Sequence, residues 1–239
     1  MINNFLLGCD PEFVLVDTRG RVFNTGTIWE QGGEIGWDHG GRVQELRPEA
    51  TKGAYALVKR LQTLIQSSKL ASEELRCKAG ARVGNESLGG HVHFGIPTAK
   101  ITSTHVGALD RVTQLLEHLD ILPSGQCADR RKGNYGRFGD IRDSNGHVEY
   151  RTMASWLYDP KVAYLCLTAA KLAAADPTGA LEGLKNVTSF AGLEKWIGRY
   201  KHTDTNARRA LDKVLVLRQK AVQIDPDVDF RGRWGKLGL

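Results

Sequence analysis

The sequence lacks any apolar run long enough to cross a membrane. A spanning helix needs about 20 consecutive apolar residues, whereas the longest run here, residues 162–175, is interrupted by Lys171. The first residues contain no basic segment and reach Asp10 early, unlike a secretory signal peptide. We therefore expect a cytoplasmic protein with no membrane partner.

Paired cysteines are missing as well. The 239-residue chain has four, at positions 9, 77, 127 and 166. None form a C-x-x-C pair, and their spacing follows no zinc-ligand pattern. The sequence therefore predicts reduced thiols rather than disulfides or a zinc centre.

Acidic residues are outnumbered by basic ones, 27 to 33, which gives a net charge of +6. Such a surplus suits a phosphate-bearing ligand or a nucleic acid. However, no basic motif is interleaved with aromatic residues, and a solvated basic surface accounts for most of these charges. A nucleic-acid partner is therefore disfavoured. It would depend on residues 208–220 and the tail at 231–236.

The hydrophobic pattern changes near residue 160. The predicted strands are residues 13–16, 21–26, 41–48, 91–96 and 147–152. The predicted helices are residues 52–70, 103–119, 162–175, 181–200 (as one helix or two) and 206–223. Residues 229–239 are expected to form a loose tail. This order predicts an α+β fold, an antiparallel sheet with polar groups on one face and helices packed on the other.

Several strand-like segments carry charged or imidazole groups where a strand normally buries apolar ones. Residues two apart on a strand point to the same face. The pairs with this spacing are Asp10 with Glu12, Glu45 with Arg47, His91 with His93, and Glu149 with Arg151. Neighbouring carboxylates repel one another unless a cation compensates, and paired imidazoles often bind metal or phosphate.

Two glycine-rich segments accompany these strands. Asp38 lies in a turn with Gly36, Gly40 and Gly41, which lets the backbone approach a ligand closely. Residues 130–142 contain five cations among three glycines, and guanidinium forks can wrap anionic oxygens. For each segment alone, a solvated surface is the ordinary alternative. Their occurrence together in one small domain favours a site for metal and phosphate.

The order of these segments resembles the glutamine synthetase and glutamate–cysteine ligase superfamily. Within it, the chain is most similar to the small carboxylate–amine (COOH-NH2) ligases, or amidoligases, many of them phage-encoded. The phrases that carry the resemblance are GCDPEF, ELRPEA, GGHVHFG and EYRTMASWL, within residues 8–160.

The resemblance implies a glutamine-synthetase-like fold, in which a curved antiparallel sheet lines the active site. It further implies ATP and Mg²⁺ (or Mn²⁺) as cofactors, and small-molecule or peptide carboxylate and amine substrates. Residues 1–160 would carry the catalytic sheet with the metal and ATP site. Residues 161–239 would form a helical C-terminal part of the same domain, with a basic tail. A phage-encoded protein would act in the host cytoplasm.

Carried over by motif position, the resemblance also implies a role for each site residue. The metal nearest the amino-acid substrate and γ-phosphate would be held by Glu12, Asp38 and Glu45. The metal on the nucleotide side would be held by Asp10, His91 and Glu149. His93 would lie near the phosphates, and Arg151 with one or both of Arg137 and Arg142 would neutralise the transferring phosphoryl group. Residues 31–41 and 130–140 are the candidate mobile lids.

The chain departs from glutamine synthetase at three points. Asp10 and Asp38 stand where glutamate is usual, and the shorter arms would shift the metal or admit a bridging water. The separate N-terminal domain of glutamine synthetase has no room here, so we expect the site to be built within one subunit. The base that deprotonates the amine has only loop candidates, Glu34, Glu86 and Asp140.

Two other functions fit parts of the pattern. Guanidino kinases share this sheet, so a metal-dependent phosphotransferase is the alternative within the fold. A non-catalytic module that binds a nucleotide or peptide is the alternative outside it. That module is disfavoured, because all six metal positions carry competent ligands.

Overall fold

A seven-stranded antiparallel sheet forms the centre of the fold in the computed structural model, which describes residues 5–26, 29–70, 74–200 and 228–235. The helix predicted at 206–223 and the basic stretch 208–220 lie outside these residues. The strands of the main sheet are β1 (Leu7–Val16), β2 (Ile35–Asp38), β3 (Val43–Leu46), β4 (Arg76–Lys78), β7 (Gly90–Phe94), β8 (Ile141–Ser144) and β9 (His147–Tyr150). A separate two-stranded ribbon contains β5 (Arg82–Val83) and β6 (Glu86–Ser87).

The strands follow the order β2-β3-β1-β7-β9-β8, and β4 pairs with the last three residues of β1. The central strand β1 is buried along nearly its whole length, because it has neighbours on both edges and is covered on its core side. All pairings in the sheet are antiparallel. The predicted α+β class with an antiparallel sheet is therefore confirmed.

Helices cover the face of the sheet that carries its apolar side chains. They are α1 (Ala54–Ile65), α2 (Ser103–His118), α3 (Ser124–Lys132), α4 (Pro160–Ala175), α5 (Pro177–Leu184), α6 (Phe190–Gly198) and α7 (Arg231–Trp234). The almost entirely buried α4 contacts α1, α2 and β7. It begins where the Asp159 side chain accepts a hydrogen bond from the backbone N–H of Lys161, with Pro160 at the first helical position.

The strand predicted at residues 21–26 is wrong. Only an isolated bridge between Val16 and Val22 forms there. Asp17 accepts hydrogen bonds from the backbone N–H groups of Arg19 and Arg21, which closes a turn directly after β1. The side chains that follow bind the turn around Gly40 and Gly41 instead of extending a ladder.

The loose tail predicted from residue 229 is also wrong for its described part. Residues 231–234 form α7, and the indole of Trp234 is fully buried, donating a 2.6 Å hydrogen bond to the carbonyl of Leu157. The Arg231 guanidinium donates to the carbonyl oxygens of Leu70 and Leu75. Apolar burial and satisfied carbonyls thus anchor a segment that the sequence predicted to be loose.

The two candidate lids are not continuous loops. Residues 35–38 form β2, which pairs with β3, and residues 124–132 form α3. Three cations lie in the last turn of α3, where they complement the negative end of the helix dipole. The predicted basic loop at 130–142 therefore begins as a helix, and its irregular part is confined to residues 133–140.

Truncating Trp234 tests whether α7 belongs to the folded domain. We expect Trp234→Ala to lower the free energy of unfolding by about 3–5 kcal/mol, because a fully buried indole and its hydrogen bond are lost. Chemical denaturation measures the change. The matched control is Val228→Ala, at a 40% exposed position, which should change stability by less than about 0.5 kcal/mol. Equal effects of the two variants would contradict the docking of α7.

Candidate metal and phosphate site

Four adjacent strands bring the polar residues of the sheet to one face. In the register of the sheet, Glu12 lies opposite Glu45, Asp10 opposite His91, and His93 opposite Glu149. Directly opposed residues in an antiparallel pair share a face and lie about 5 Å apart. Strands β3, β1, β7 and β9 therefore contribute to a single polar surface opposite the helical layer.

The first cluster on this surface contains Glu12, Asp38 and Glu45. One carboxylate oxygen from each lies within 4.8 Å of the others. Glu12 and Glu45 are only 1% and 5% exposed, and Asp38 is half-buried at the end of β2. Burial, and then the neighbouring Asp10 carboxylate, raise the pKa of Glu45 to about 8, although Arg47 opposes the shift.

The second cluster surrounds the His91 imidazole, which is 2% exposed. Its Nδ1 lies 3.5 Å from Oδ1 of Asp10 and 3.4 Å from Oε1 of Glu149, and Glu149 is fully buried. His93 approaches the same Asp10 oxygen with its Nε2 at 2.9 Å. Burial acts to raise the pKa of Asp10, but the two imidazoles outweigh it and hold that pKa well below its usual range.

Two buried oxygens in the second cluster show that its residues fit a cation. Oδ1 of Asp10 and Oε1 of Glu149 have no partner with hydrogen-bond geometry among the described residues, despite their short distances to imidazole and guanidinium nitrogens. An unsatisfied buried carboxylate oxygen is costly. Carboxylate oxygens with one imidazole are suitable ligands for Mg²⁺ or Mn²⁺.

The residues of the predicted second ligand set lie close together, but the compact groups divide them in a different way. Compact groups form from Asp10, Glu45 and His91, and from Asp10, His93 and Glu149. His93 therefore lies as close to the second cluster as His91 does. Asp10 and Glu45 join the two clusters, so the surface is one continuous site.

The arginines predicted to bind phosphate occupy different environments. Arg142 is half exposed and donates to Oε2 of Glu149 at 2.7 Å from its Nε, while Arg151 approaches Oε1 of the same carboxylate at 3.4 Å. Arg137 is exposed, and its guanidinium donates to the side chain of Asn134. In the described contacts, Arg142 and Arg151 adjoin the carboxylates and Arg137 does not.

The other two arginines of that segment support the fold. The fully buried Arg130 donates to the carbonyl oxygens of Thr152 and Arg151. Arg131 forms a two-pronged ion pair with Glu117 at 2.7 and 2.5 Å. The interpretation of residues 130–142 as a uniform anion-binding loop is therefore wrong for its first two arginines.

Two residues at the site were not singled out from the sequence. The Tyr135 hydroxyl lies 2.5 Å from Oε1 of Glu12 and 3.1 Å from Nε2 of His91. His147, at the start of β9, places its Nε2 3.2 Å from Nδ1 of His93. Tyr135 lies between Gly133 and Gly136 in the basic segment, and an aromatic residue at that place is the sequence feature that could have identified it as a site residue.

The four cysteines form no disulfide. All four cysteines are buried free thiols, as predicted. Within the described part of the chain, no helix combines the length and apolar character that a membrane crossing requires.

One solved structure has a similar fold. The chain is similar to a bifunctional glutathione synthetase from Pasteurella multocida, with 12% identity and a TM-score of 0.51 over 97% of this chain and 48% of that one. It thus spans about half the length of that structure. A novel glutamine synthase homolog matches at 12% identity and a TM-score of 0.43, over 93% of this chain and 69% of the other. The shared fold is a mixed α/β domain built on an antiparallel sheet.

The family follows from the sequence itself. The profile described as phage phiEco32-like COOH.NH2 ligase-type 2 matches residues 7–191. The chain belongs to this family of carboxylate–amine ligases. The family inferred from the motifs is thereby confirmed. No curated protein sequence gives a significant match.

The raised pKa of Glu45 predicts that metal binding depends on pH. Below about pH 8 this carboxyl keeps its proton in the metal-free fold, and a bound cation must displace it. Mn²⁺ affinity should therefore rise with pH up to about 8, by about tenfold per pH unit for the one proton displaced. The measurement is calorimetric titration with Mn²⁺ at several pH values.

The stability of the metal-free fold should depend on pH in the opposite direction from the metal affinity. The folded-state pKa of Glu45 lies above the ordinary value of 4.5, so this group destabilises the metal-free fold progressively as pH rises from about 4.5 to 8.

The control for metal binding is Glu45→Gln, which carries no such proton. It should bind Mn²⁺ more weakly, and the slope of its Mn²⁺ affinity against pH should be lower by one proton. An unchanged slope in this variant would rule out Glu45 as the titrating group.

Proposed function

We propose that the protein is an ATP-dependent carboxylate–amine ligase that forms an amide or peptide-like bond through an acyl phosphate at a two-metal site. The observation that carries the proposal is the pair of linked buried clusters on one sheet face, with carboxylate oxygens that lack hydrogen-bond partners among the described residues. Membership of the ligase family supports the amide-forming reaction.

The proposal assigns the two metal ions to the two clusters. Glu12, Asp38 and Glu45 would hold one, and Asp10, His91 and Glu149 would hold the other, with His93 as an adjoining imidazole. When bound, Mg²⁺ or Mn²⁺ supplies charge neutralisation for phosphate oxygens. Carboxylates buried this closely are compatible with one another chiefly when cations are present.

Arginines supply the remaining positive charge in this proposal. Arg142 and Arg151 flank Glu149, so a phosphoryl group at the second cluster would meet both guanidinium groups. They would stabilise the charge that develops as the γ-phosphoryl passes to the substrate carboxylate. Arg137, which is exposed on the 133–140 segment, would join them only if that segment closed over the ligand.

The sheet face would also keep water from the acyl phosphate. That species hydrolyses if water reaches it before the amine does. The phenol of Tyr135 hydrogen-bonds to Glu12 of the first cluster and contacts the buried imidazole of His91, and the two rings would shield that carboxylate from water. In this assignment residues 1–160 carry the metal and ATP chemistry, residues 161–239 form the supporting part, and the substrates are small molecules or peptides.

Removal of the Glu149 carboxylate is the sharpest test of the proposed reaction. With ATP, Mg²⁺ and panels of amino acids, polyamines and peptides, we expect release of ADP and phosphate that depends on both a carboxylate and an amine. Glu149→Gln should lower kcat/KM by at least about 100-fold, because a fully buried ligand between two arginines loses its charge.

Controls separate the alternatives. Glu49→Gln removes an exposed carboxylate paired with Arg60 and should leave the rate within about twofold.

Formation of a phosphorylated product without any need for amine would indicate a phosphotransferase instead. A wild-type protein that neither binds ATP with Mg²⁺ nor turns over any substrate pair would refute the ligase assignment.

A further inference from the structure

The position of Tyr135 between the two clusters suggests a specific task. Its hydroxyl forms hydrogen bonds with Glu12 of the first cluster and with His91 of the second. We propose that Tyr135 is a positioning residue that fixes the His91 ring, so that Nδ1 of the ring faces Asp10 and Glu149 as a metal ligand. The inference rests on the proposed two-metal site and adds the residue that orients its imidazole.

The number of available protons determines the direction of the two hydrogen bonds. Glu12 must be ionised to act as a metal ligand, so its Oε1 can only accept, and the single phenolic proton of Tyr135 is donated to it at 2.5 Å. The phenolic oxygen is then left with lone pairs. At 3.1 Å it can accept a hydrogen bond from the N–H at Nε2 of His91. The imidazole is thereby held with its proton on Nε2.

With its proton on Nε2, the ring would offer the lone pair of Nδ1 to a metal ion at the second cluster. Nδ1 of His91 lies 3.4–3.5 Å from one oxygen each of Glu149 and Asp10. Three electron-rich atoms converge there, and neither of the two oxygens has another hydrogen bond among the described residues. In the metal-free protein a proton on Nδ1 compensates the two carboxylates, and a bound metal ion would take the place of that proton. Ligating histidines are commonly oriented by a hydrogen bond to the second ring nitrogen.

The surroundings of Tyr135 hold its ring in place. The guanidinium carbon of the buried Arg130 lies 4.5 Å from the centre of the phenol ring. Gly136 makes this contact feasible, because it adopts a φ of +65° and a Cβ there would lie 2.0 Å from Arg130 Nη1. The guanidinium is itself fixed by the carbonyl oxygen of Thr152 at 2.8 Å. The phenol therefore lies on a rigid support.

Close packing against Gly89 also restricts the His91 ring. A Cβ at Gly89 would lie 2.2 Å from Nε2 of His91, so only glycine leaves room for the ring in this orientation. The backbone N–H of Gly89 donates to Oε2 of Glu12 at 2.5 Å. Glu12, Gly89 and Tyr135 thus surround Nε2, while Nδ1 remains open to the second cluster.

Removal of the single hydroxyl group tests the inference. Tyr135→Phe keeps the ring over Arg130, so the metal-free fold should retain its midpoint of thermal unfolding within a few degrees. Mn²⁺ affinity, measured by the electron paramagnetic resonance of free Mn²⁺, should fall by about 10- to 100-fold. The matched control is Tyr55→Phe, a half-buried tyrosine that packs against Tyr164 on the helical side and should leave affinity unchanged.

A second readout identifies the ligating atom. In isotope-labelled protein loaded with Cd²⁺, nitrogen NMR should show cadmium coupling to Nδ1 of His91 in the wild type, and loss or reassignment of that coupling in Tyr135→Phe. Coupling to Nε2, or no coupling to His91, would overturn the inference. So would wild-type Mn²⁺ affinity in Tyr135→Phe. A wild-type protein that fails to bind Mn²⁺ and ATP would instead refute the proposed function.

Discussion

Glu12 and Glu45 face each other across β1 and β3 with almost no access to water. Two carboxylates so placed raise each other's pKa and destabilise the fold unless positive charge or donated hydrogen bonds compensate. Arg47, the N–H of Gly89 and the phenol of Tyr135 each supply part of this compensation. In the rest of the site, the imidazoles of β7 and the arginines around Glu149 compensate the other buried carboxylates of the sheet in the same way.

The helical side of the sheet makes that arrangement possible. Apolar side chains on the opposite face of the same strands pack under α1, α2 and α4, which fixes the strand positions independently of the polar face. Hydrogen bonds tie the two sides together. Trp156 donates to the carbonyl of Gly90 beside His91, and Tyr150 on β9 donates to Asp110 on α2. Site residues carried by strands are held more precisely than residues carried by loops.

The sequence predicts which side chains share one face of a strand, but it does not predict which residues of different strands lie opposite one another. The two-residue period predicts that Asp10 and Glu12 share a face, and likewise His91 and His93, because side-chain alternation is a local property. The pairing of Glu12 with Glu45 depends on register, which tertiary packing sets. The helix at 231–234 was missed for a similar reason. Its stability comes from the burial of Trp234 against Leu157, a contact 77 residues away in sequence.

Positive charge shows most clearly why composition alone is a weak guide to function. The surplus of six cations suggested anionic partners, yet Arg130, Arg131 and Arg231 are occupied with backbone carbonyls or buried acids. Arg233, which lies in the basic tail at residues 231–236, donates to the carbonyl of Tyr158. Arg47 pairs with Glu45 in the first cluster, and Arg142 and Arg151 lie against Glu149 in the second. The same buried carboxylate that the second cluster needs therefore also positions the guanidinium groups that a phosphoryl ligand would meet.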